Sequence, residues 1–356
     1  MAERVRTLGI LTGGGDCPGL NAVVRAAAHR CAQRGAALIG YRNGWQGLLE
    51  GKSVRLDREA VKGILPLGGT VLGTSRTDPL VVPDGVTRIR QTMERDGVDG
   101  LLVVGGDGTL SAAAELQKDG FRLVGVPKTI DNDLSATDAT FGFDTAVGIA
   151  VDAIDRLHTT AEAHNRVIVV EVMGHHTGWI AAYAGIAGGA DVILVPEYPF
   201  TVETVCDRIR ERQRQGRNFS IVVLAEGARP AALGGSVPER RARIKPGAIS
   251  AWLANEIERC IDTETRTVVL GHIQRGGTPS AYDRVLATRY GVRAADAGLD
   301  GEWGVMVALR GTSITTVPLE SAVRQIKALD PAIWEIARVF SGPEPVSARD
   351  TPEAAA

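Results

Sequence analysis

Short apolar runs recur along the chain and read as buried parallel strands: Leu8–Leu11, Ala37–Tyr41, Leu101–Val104, Leu123–Val126, Val167–Val172, Val192–Val195, Ile221–Ala225, Val268–Gly271 and Val305–Leu309. Stretches with an amphipathic helical period separate many of them: Asn21–Arg34, Leu110–Lys118, Thr145–His158, Val202–Gln215, Ile249–Cys260 and Tyr282–Ala297. This alternation predicts an α/β fold with parallel or mostly parallel sheets flanked by helices. In such sheets ligands bind beyond the carboxyl ends of the strands, so the informative residues are those that follow each apolar run. A change of segment near Phe141–Phe143 suggests a first domain boundary. The Pro-, Gly- and Arg-rich stretch 228–247 reads as a surface excursion, and the polar tail after Ser341 as a mobile end.

At 356 residues, with 44% hydrophobic and 23% charged composition, the chain is long enough for two ordinary domains. A net charge of -2 gives no general attraction to nucleic acid or to an anionic membrane. No apolar run approaches the roughly 20 residues that span a bilayer. The start lacks an apolar secretory region, so a cytoplasmic protein is expected. Cys17, Cys31, Cys206 and Cys260 are widely spaced, which favours free thiols over a metal site or disulfides. Composition departs from the ordinary in its 43 glycines, and these cluster just after the apolar runs.

Four such loops carry chemistry. Gly13-Gly14-Gly15-Asp16 follows the first run and precedes a helix; glycine there lets backbone N–H groups approach a phosphate, although a tight structural turn would use the same residues. It is neither a P-loop nor GxGxxG. Gly105-Gly106-Asp107-Gly108-Thr109 places a carboxylate between glycines, suited to Mg²⁺ with amides on phosphate oxygens, or simply to capping a helix. In Pro127-Lys128-Thr129-Ile130-Asp131-Asn132-Asp133, an extended backbone would project Thr129, Asp131 and Asp133 to one side. Two converging carboxylates suit a proton acceptor beside a metal-associated group, against the alternative of solvated acidic turn residues. Finally, Arg266 with Leu270-Gly271-His272-Ile273-Gln274-Arg275-Gly276-Gly277 gathers basic side chains after a strand, as an anion site or as a solvated basic face.

Together these motifs resemble the phosphofructokinase family. The similarity rests on GGGDCPGLNAVVR (13–25), GTSR (73–76), GGDGT (105–109), PKTIDND (127–133), GFDTA (142–146), NRVIVVEVMGHHTGWIA (165–181), AEG (225–227) and LGHIQRGG (270–277), in order, from about residue 5 to residue 311. The resemblance implies a nucleotide-binding domain of residues 1–142 plus about 278–327. A sugar-phosphate domain would comprise 143–277 plus about 328–356. It implies Asp131 as general base toward the sugar 1-hydroxyl, Asp107 as the Mg²⁺ ligand with Asp133 close by, and Thr129 and Arg76 as contacts to the transferring phosphoryl group. Gly15, Arg76, Thr77, Gly106, Asp107, Gly108 and Thr109 would line the donor site. On the acceptor side, Thr129, Ile130, Asp131, Met173, Gly174, His175, Glu226, Ile273 and Gln274 would contact the sugar phosphate, with Arg166, Arg266, His272 and Arg275 on its 6-phosphate. Arg166 and Arg266 are expected to act across the interface of a homodimer or homotetramer.

The implied activity is an ATP-dependent 6-phosphofructokinase of glycolysis, making fructose 1,6-bisphosphate and ADP from fructose 6-phosphate, with Mg²⁺. The alternative is pyrophosphate-dependent fructose 6-phosphate 1-phosphotransferase. Two positions bear on the donor. Gly108 is the ATP-type residue, since an Asp there would intrude where the α-phosphate lies, whereas Lys128 is the pyrophosphate-type residue. The pairing is similar to a mixed-substrate actinobacterial-type group. Sterics exclude, while an added cation only biases, so ATP is expected. His175 stands where the common ATP-type pattern has Arg. The family's effector pocket is only partly matched: Arg25 is kept, but His29 and His158 occupy arginine positions. Two rivals, a lipid or NAD kinase sharing GGDGT and a non-catalytic nucleotide-binding subunit, do not account for PKTIDND with GHIQRGG or for the intact carboxylates.

Overall fold

The structure, a computed structural model, describes residues 5–231 and 245–340. Residues 232–244 of the expected surface excursion, and the tail after residue 340, lie outside the described residues. The chain forms two compact units and passes from one to the other after Thr145, Gln274 and Lys327. The sequence reading put these crossings after residues 142, 277 and 327.

The first unit is built on a seven-stranded sheet in the order β11-β10-β5-β4-β1-β2-β3. Its strands are β1 (Thr7–Thr12), β2 (Ala37–Tyr41), β3 (Ser53–Arg55), β4 (Gly100–Gly105), β5 (Leu123–Pro127), β10 (Val305–Arg310) and β11 (Ser313–Pro318). All neighbours are parallel except the two edge pairs, β2 with β3 and β10 with β11. Helices α1 (Leu20–Gln33), α2 (Trp45–Glu50), α3 (Gly85–Arg95), α4 (Asp107–Lys118), α9 (Ala281–Leu299) and α10 (Leu319–Val323) cover it. One core layer joins Leu11, Trp45, Leu101, Val103, Leu110, Leu116, Leu123 and Met306. GLLVVG in β4 is buried along its whole length, which is why it reads as an unbroken apolar run.

The second unit carries a four-stranded, all-parallel sheet, β7-β8-β6-β9, of β6 (Val167–Val172), β7 (Val192–Leu194), β8 (Ser220–Ala225) and β9 (Thr265–Val269). Its helices are α6 (Trp179–Ala187), α7 (Val202–Arg214), α8 (Ala248–Cys260) and α11 (Pro331–Phe340), together with α5 (Phe143–His164), which starts just before the crossing. The expected strand 268–271 is corrected: β9 begins at Thr265, and as an edge strand it is polar over its first half, so an apolar criterion finds only its end. The edge strands β3 and β11 escape the same criterion. Helix α6 escapes the helical period because it is apolar on nearly every side and mostly buried. No helix among the described residues is long and apolar enough to cross a membrane.

Candidate active site

In the first unit, strand order reverses between β1 and β4, so their carboxyl ends flank a switch point, the usual ligand crevice of an open parallel sheet. Two glycine loops meet there. Gly13 donates its N–H to the Val104 carbonyl at 2.9 Å, and a Cβ on Gly13 would fall 2.7 Å from Thr109 Oγ1. The 73–76 loop is stitched to the same place: Gly14 N–H donates to Ser75 O at 2.9 Å, and Thr74 Oγ1 donates to Gly14 O at 2.6 Å. This brings Arg76, exposed, and Thr77 beside Gly14 and Gly15. Arg275 lies here too, its Nη1 2.7 Å from where a Gly15 Cβ would stand and 3.3 Å from Asp16 O. Any side chain at position 15 would displace that guanidinium. Lys128 is buried, and its ammonium donates to Gly15 O. Burial pushes its pKa down. The expected phosphate cation therefore also tethers the glycine loop.

The carboxylates stand at the ends of β4 and β5. Asp107 opens α4 in the N1 position, whereas the cap itself is Gly106, in extended conformation and without a side-chain cap hydrogen bond. Asp107 is thus not the cap residue, and its charge suits the positive helix end. The condition of an extended 129–133 segment is not met. The backbone bends after Ile130, and Asn132 is left-handed with φ 52°. The carboxylates converge through this turn rather than through strand alternation. Asp131 is buried; its N–H donates to Thr129 Oγ1 at 3.1 Å, and Thr129 Oγ1 donates to Asp131 Oδ2 at 3.3 Å. Asp133 is pushed up to about 7 by burial first and then by the Asp131 and Asp107 charges. Ile130, expected among the sugar contacts, has no exposed surface and serves as the hydrophobic anchor of the loop.

No group of three or more His, Cys, Asp or Glu among the described residues is placed to hold a metal by itself. Mg²⁺ asks for less, one or two carboxylates with substrate phosphates and waters completing its shell. Carboxylates that raise one another's cost of ionisation, beside glycine loops open to phosphate, are a donor set that fits such a shared ion, and Asp107 could hold it.

One further group was not found in the sequence. Lys327, half-buried, donates its ammonium to Asn132 Oδ1 at 2.9 Å and to the carbonyls of Thr137 and Asp138 at 3.0 Å each. Burial pushes it down to about 8, against the opposing pull of the Asp133 and Asp138 charges. No local pattern marks it, because 195 residues separate it from Asn132.

The second unit divides its predicted residues between the two ends of its sheet. At the carboxyl end, Met173 N–H donates to Gln274 Oε1 at 2.9 Å and His175 N–H to Glu226 Oε1 at 3.0 Å. Gly174 turns between them with φ 143°, a conformation that L side chains rarely adopt, and a Cβ there would lie 2.5 Å from Thr177 O. His272 and Ile273 are exposed on the 3₁₀ turn Gly271–Arg275. Gln274, expected to touch substrate, is fully buried and supports Met173 instead. Arg166 and Arg266 sit at the opposite, amino end of the sheet, just before β6 and near the start of β9. Glu264 pairs with both, at 2.6 Å to Arg166. The six residues of β6, at about 3.3 Å each, separate Arg166 from Met173, on the order of 20 Å within one chain.

Glycine loops and clustered carboxylates at the carboxyl ends of a parallel sheet suit a phosphotransferase. The family described as phosphofructokinase matches residues 7–298. A pyrophosphate–fructose 6-phosphate 1-phosphotransferase of Streptomyces coelicolor is 55% identical over 341 residues, covering 94% of this chain and 99% of its own. An ATP-dependent 6-phosphofructokinase of Mycobacterium bovis is 50% identical over 343 residues, with the same coverage. Among solved structures, the phosphofructokinase of Pichia pastoris in the T-state superposes with a TM-score of 0.82 at 31% identity, covering 91% of this chain and 36% of that one. The chain belongs to the phosphofructokinase family.

Proposed function

We propose that the protein transfers the γ-phosphoryl group of ATP to the 1-hydroxyl of fructose 6-phosphate. The observation that carries the choice of donor is Gly108. It is exposed on the first turn of α4, and a Cβ there would meet nothing within 4 Å, so the space beside it is free for a nucleotide. Lys128 argues less for pyrophosphate than its identity suggests, since its ammonium is engaged with Gly15 O. The second reading, pyrophosphate as donor, is favoured by Lys128 being there at all and by the Streptomyces coelicolor relative named for that donor.

In this reading Asp131 takes the proton from the attacking hydroxyl, and the Thr129 hydroxyl orients its carboxylate. Arg76, Thr77, Gly15 and Gly106–Thr109 bind the donor phosphates. Mg²⁺ held by Asp107 would neutralise charge on the transferring phosphoryl group. Met173, Gly174, His175 and Glu226 hold the sugar. His272 and Arg275 are assigned to its 6-phosphate, although Arg275 lies against the donor loop in this chain. Arg166 and Arg266, at the far end of the sheet from Met173, are assigned to the 6-phosphate in a neighbouring copy's site, which requires a homodimer or homotetramer.

The deciding experiment is a coupled assay of fructose 6-phosphate with ATP and with pyrophosphate side by side. ATP turnover well above pyrophosphate turnover supports the proposal; the reverse order transfers it to the second reading. In the same assay Asp131→Asn should lower kcat about 10²–10⁴-fold with little change in KM for the sugar phosphate. A rate near wild type would remove Asp131 from the base role.

A further inference from the structure

Asn132 occupies the left-handed region, which asparagine adopts more readily than most non-glycine residues, and its surroundings hold it there. Those surroundings converge on its side-chain oxygen. Thr140 donates its N–H at 3.1 Å, and Lys327 donates its ammonium at 2.9 Å. With the Thr137 and Asp138 carbonyls, the Lys327 ammonium has an acceptor for each of its three N–H bonds. The backbone N–H of Lys327 meanwhile donates to Asp133 O at 2.8 Å. Thr140 Oγ1 fixes the other end of the loop through Thr129 O at 2.7 Å. The loop is thus held at residues 129, 132 and 133, on both sides of Asp131, whose N–H and carboxylate bond to Thr129 Oγ1.

We propose that Lys327 is a positioning residue for phosphoryl transfer, acting through Asn132 and the Asp133 carbonyl to fix the Asp131 carboxylate. The proposal rests on the reading of Asp131 as the base. A lysine that served folding alone would affect stability and leave turnover per folded molecule unchanged. One that aims a base affects kcat, and does so through Asn132.

The test measures kcat and KM for fructose 6-phosphate, with ATP and with pyrophosphate, well below the unfolding temperature of each variant. Lys327→Met should lower kcat about 10- to 100-fold, the scale set by a small misplacement of a catalytic group, with KM within about twofold. Asn132→Gly keeps the left-handed turn while removing the acceptor, so it should reproduce the same loss. The double variant should be no slower than the slower single variant, because both act on one contact. Lys327→Arg, which keeps the charge and donors, should recover part of the rate.

Either single variant within about twofold of wild-type kcat overturns the proposal, as do losses that multiply in the double variant. If Lys327→Met does not fold, Asn132→Gly decides alone. Asp131→Asn run in parallel separates the two layers. If it keeps near wild-type kcat, the base assignment fails and takes Lys327 with it. If it collapses while Lys327→Met and Asn132→Gly do not, only the Lys327 proposal fails.

Discussion

If Gly108 selects the donor, it does so with little trace in the fold. A Cβ there would meet no protein atom within 4 Å, so Gly108→Asp should change the thermal midpoint little. Its carboxylate would instead meet the donor, and kcat/KM for ATP should fall at least about tenfold while pyrophosphate turnover is spared, since like-charge contact rejects one ligand and not the other. Parallel rates and a melting curve check both halves, and undiminished ATP use would end the steric argument. At this scale residue types were legible in the sequence, because acid, hydroxyl and glycine after an apolar run announce phosphate chemistry. Accessibility was not. Ile130 and Gln274 sit inside matching motifs yet are buried, and Lys128 is tied to Gly15 O; each outcome depends on packing between distant segments. Lys327 was invisible for the same reason.

Between elements, and within the first unit, Thr145 at the amino end of α5 is fastened to Ser280 and Asp283 at the amino end of α9. Buried Asp283 accepts the Thr145 N–H at 2.8 Å and the Thr145 hydroxyl at 2.6 Å, and the Ser280 N–H donates to Thr145 Oγ1 at 3.0 Å. Ser280 also caps α9 by accepting the Asp283 N–H. Ser-x-x-Asp is a helix-start signature that could have placed this terminus from sequence alone. Burial pushes the Asp283 carboxyl up to about 6. The folded protein therefore holds this proton more tightly than the unfolded chain, and the contribution is full below about pH 4 and is lost as the pH rises to about 6. Asn does not titrate, so the stability of Asp283→Asn relative to wild type should improve across that interval, by an amount of order 3 kcal/mol. Chemical denaturation at the two ends of the interval reads it directly; a gap independent of pH would mean that the carboxyl titrates normally. Strands buried on both faces, β4 and β6 among them, were plain in the sequence. Polar edge strands and the bent 129–133 turn were not, because neither hydrophobic run length nor strict alternation describes them.

For the whole molecule, the amino-edge position of Arg166 and Arg266 has a kinetic reading. If they complete a neighbour's site, Arg266→Ala should raise KM for fructose 6-phosphate about tenfold or more with kcat largely kept, because a contact made equally in ground and transition states moves KM alone. Specific activity should also fall on dilution as sedimentation shows the assembly dissociating. A fully active monomer would place both arginines outside catalysis. The chain path between the units has a different consequence, one of timing. Synthesis runs from the amino terminus, and when Gln274 has been added all of β6 to β9 exist. The first unit then still lacks α9, the helix that packs against α1, and β10, the neighbour of β5. The sheet begun first is therefore finished last, and nascent β5 waits with one ladder edge open. Slowed translation through 275–310 would prolong that interval, and protecting this edge on the ribosome is where a chaperone would matter most for this fold.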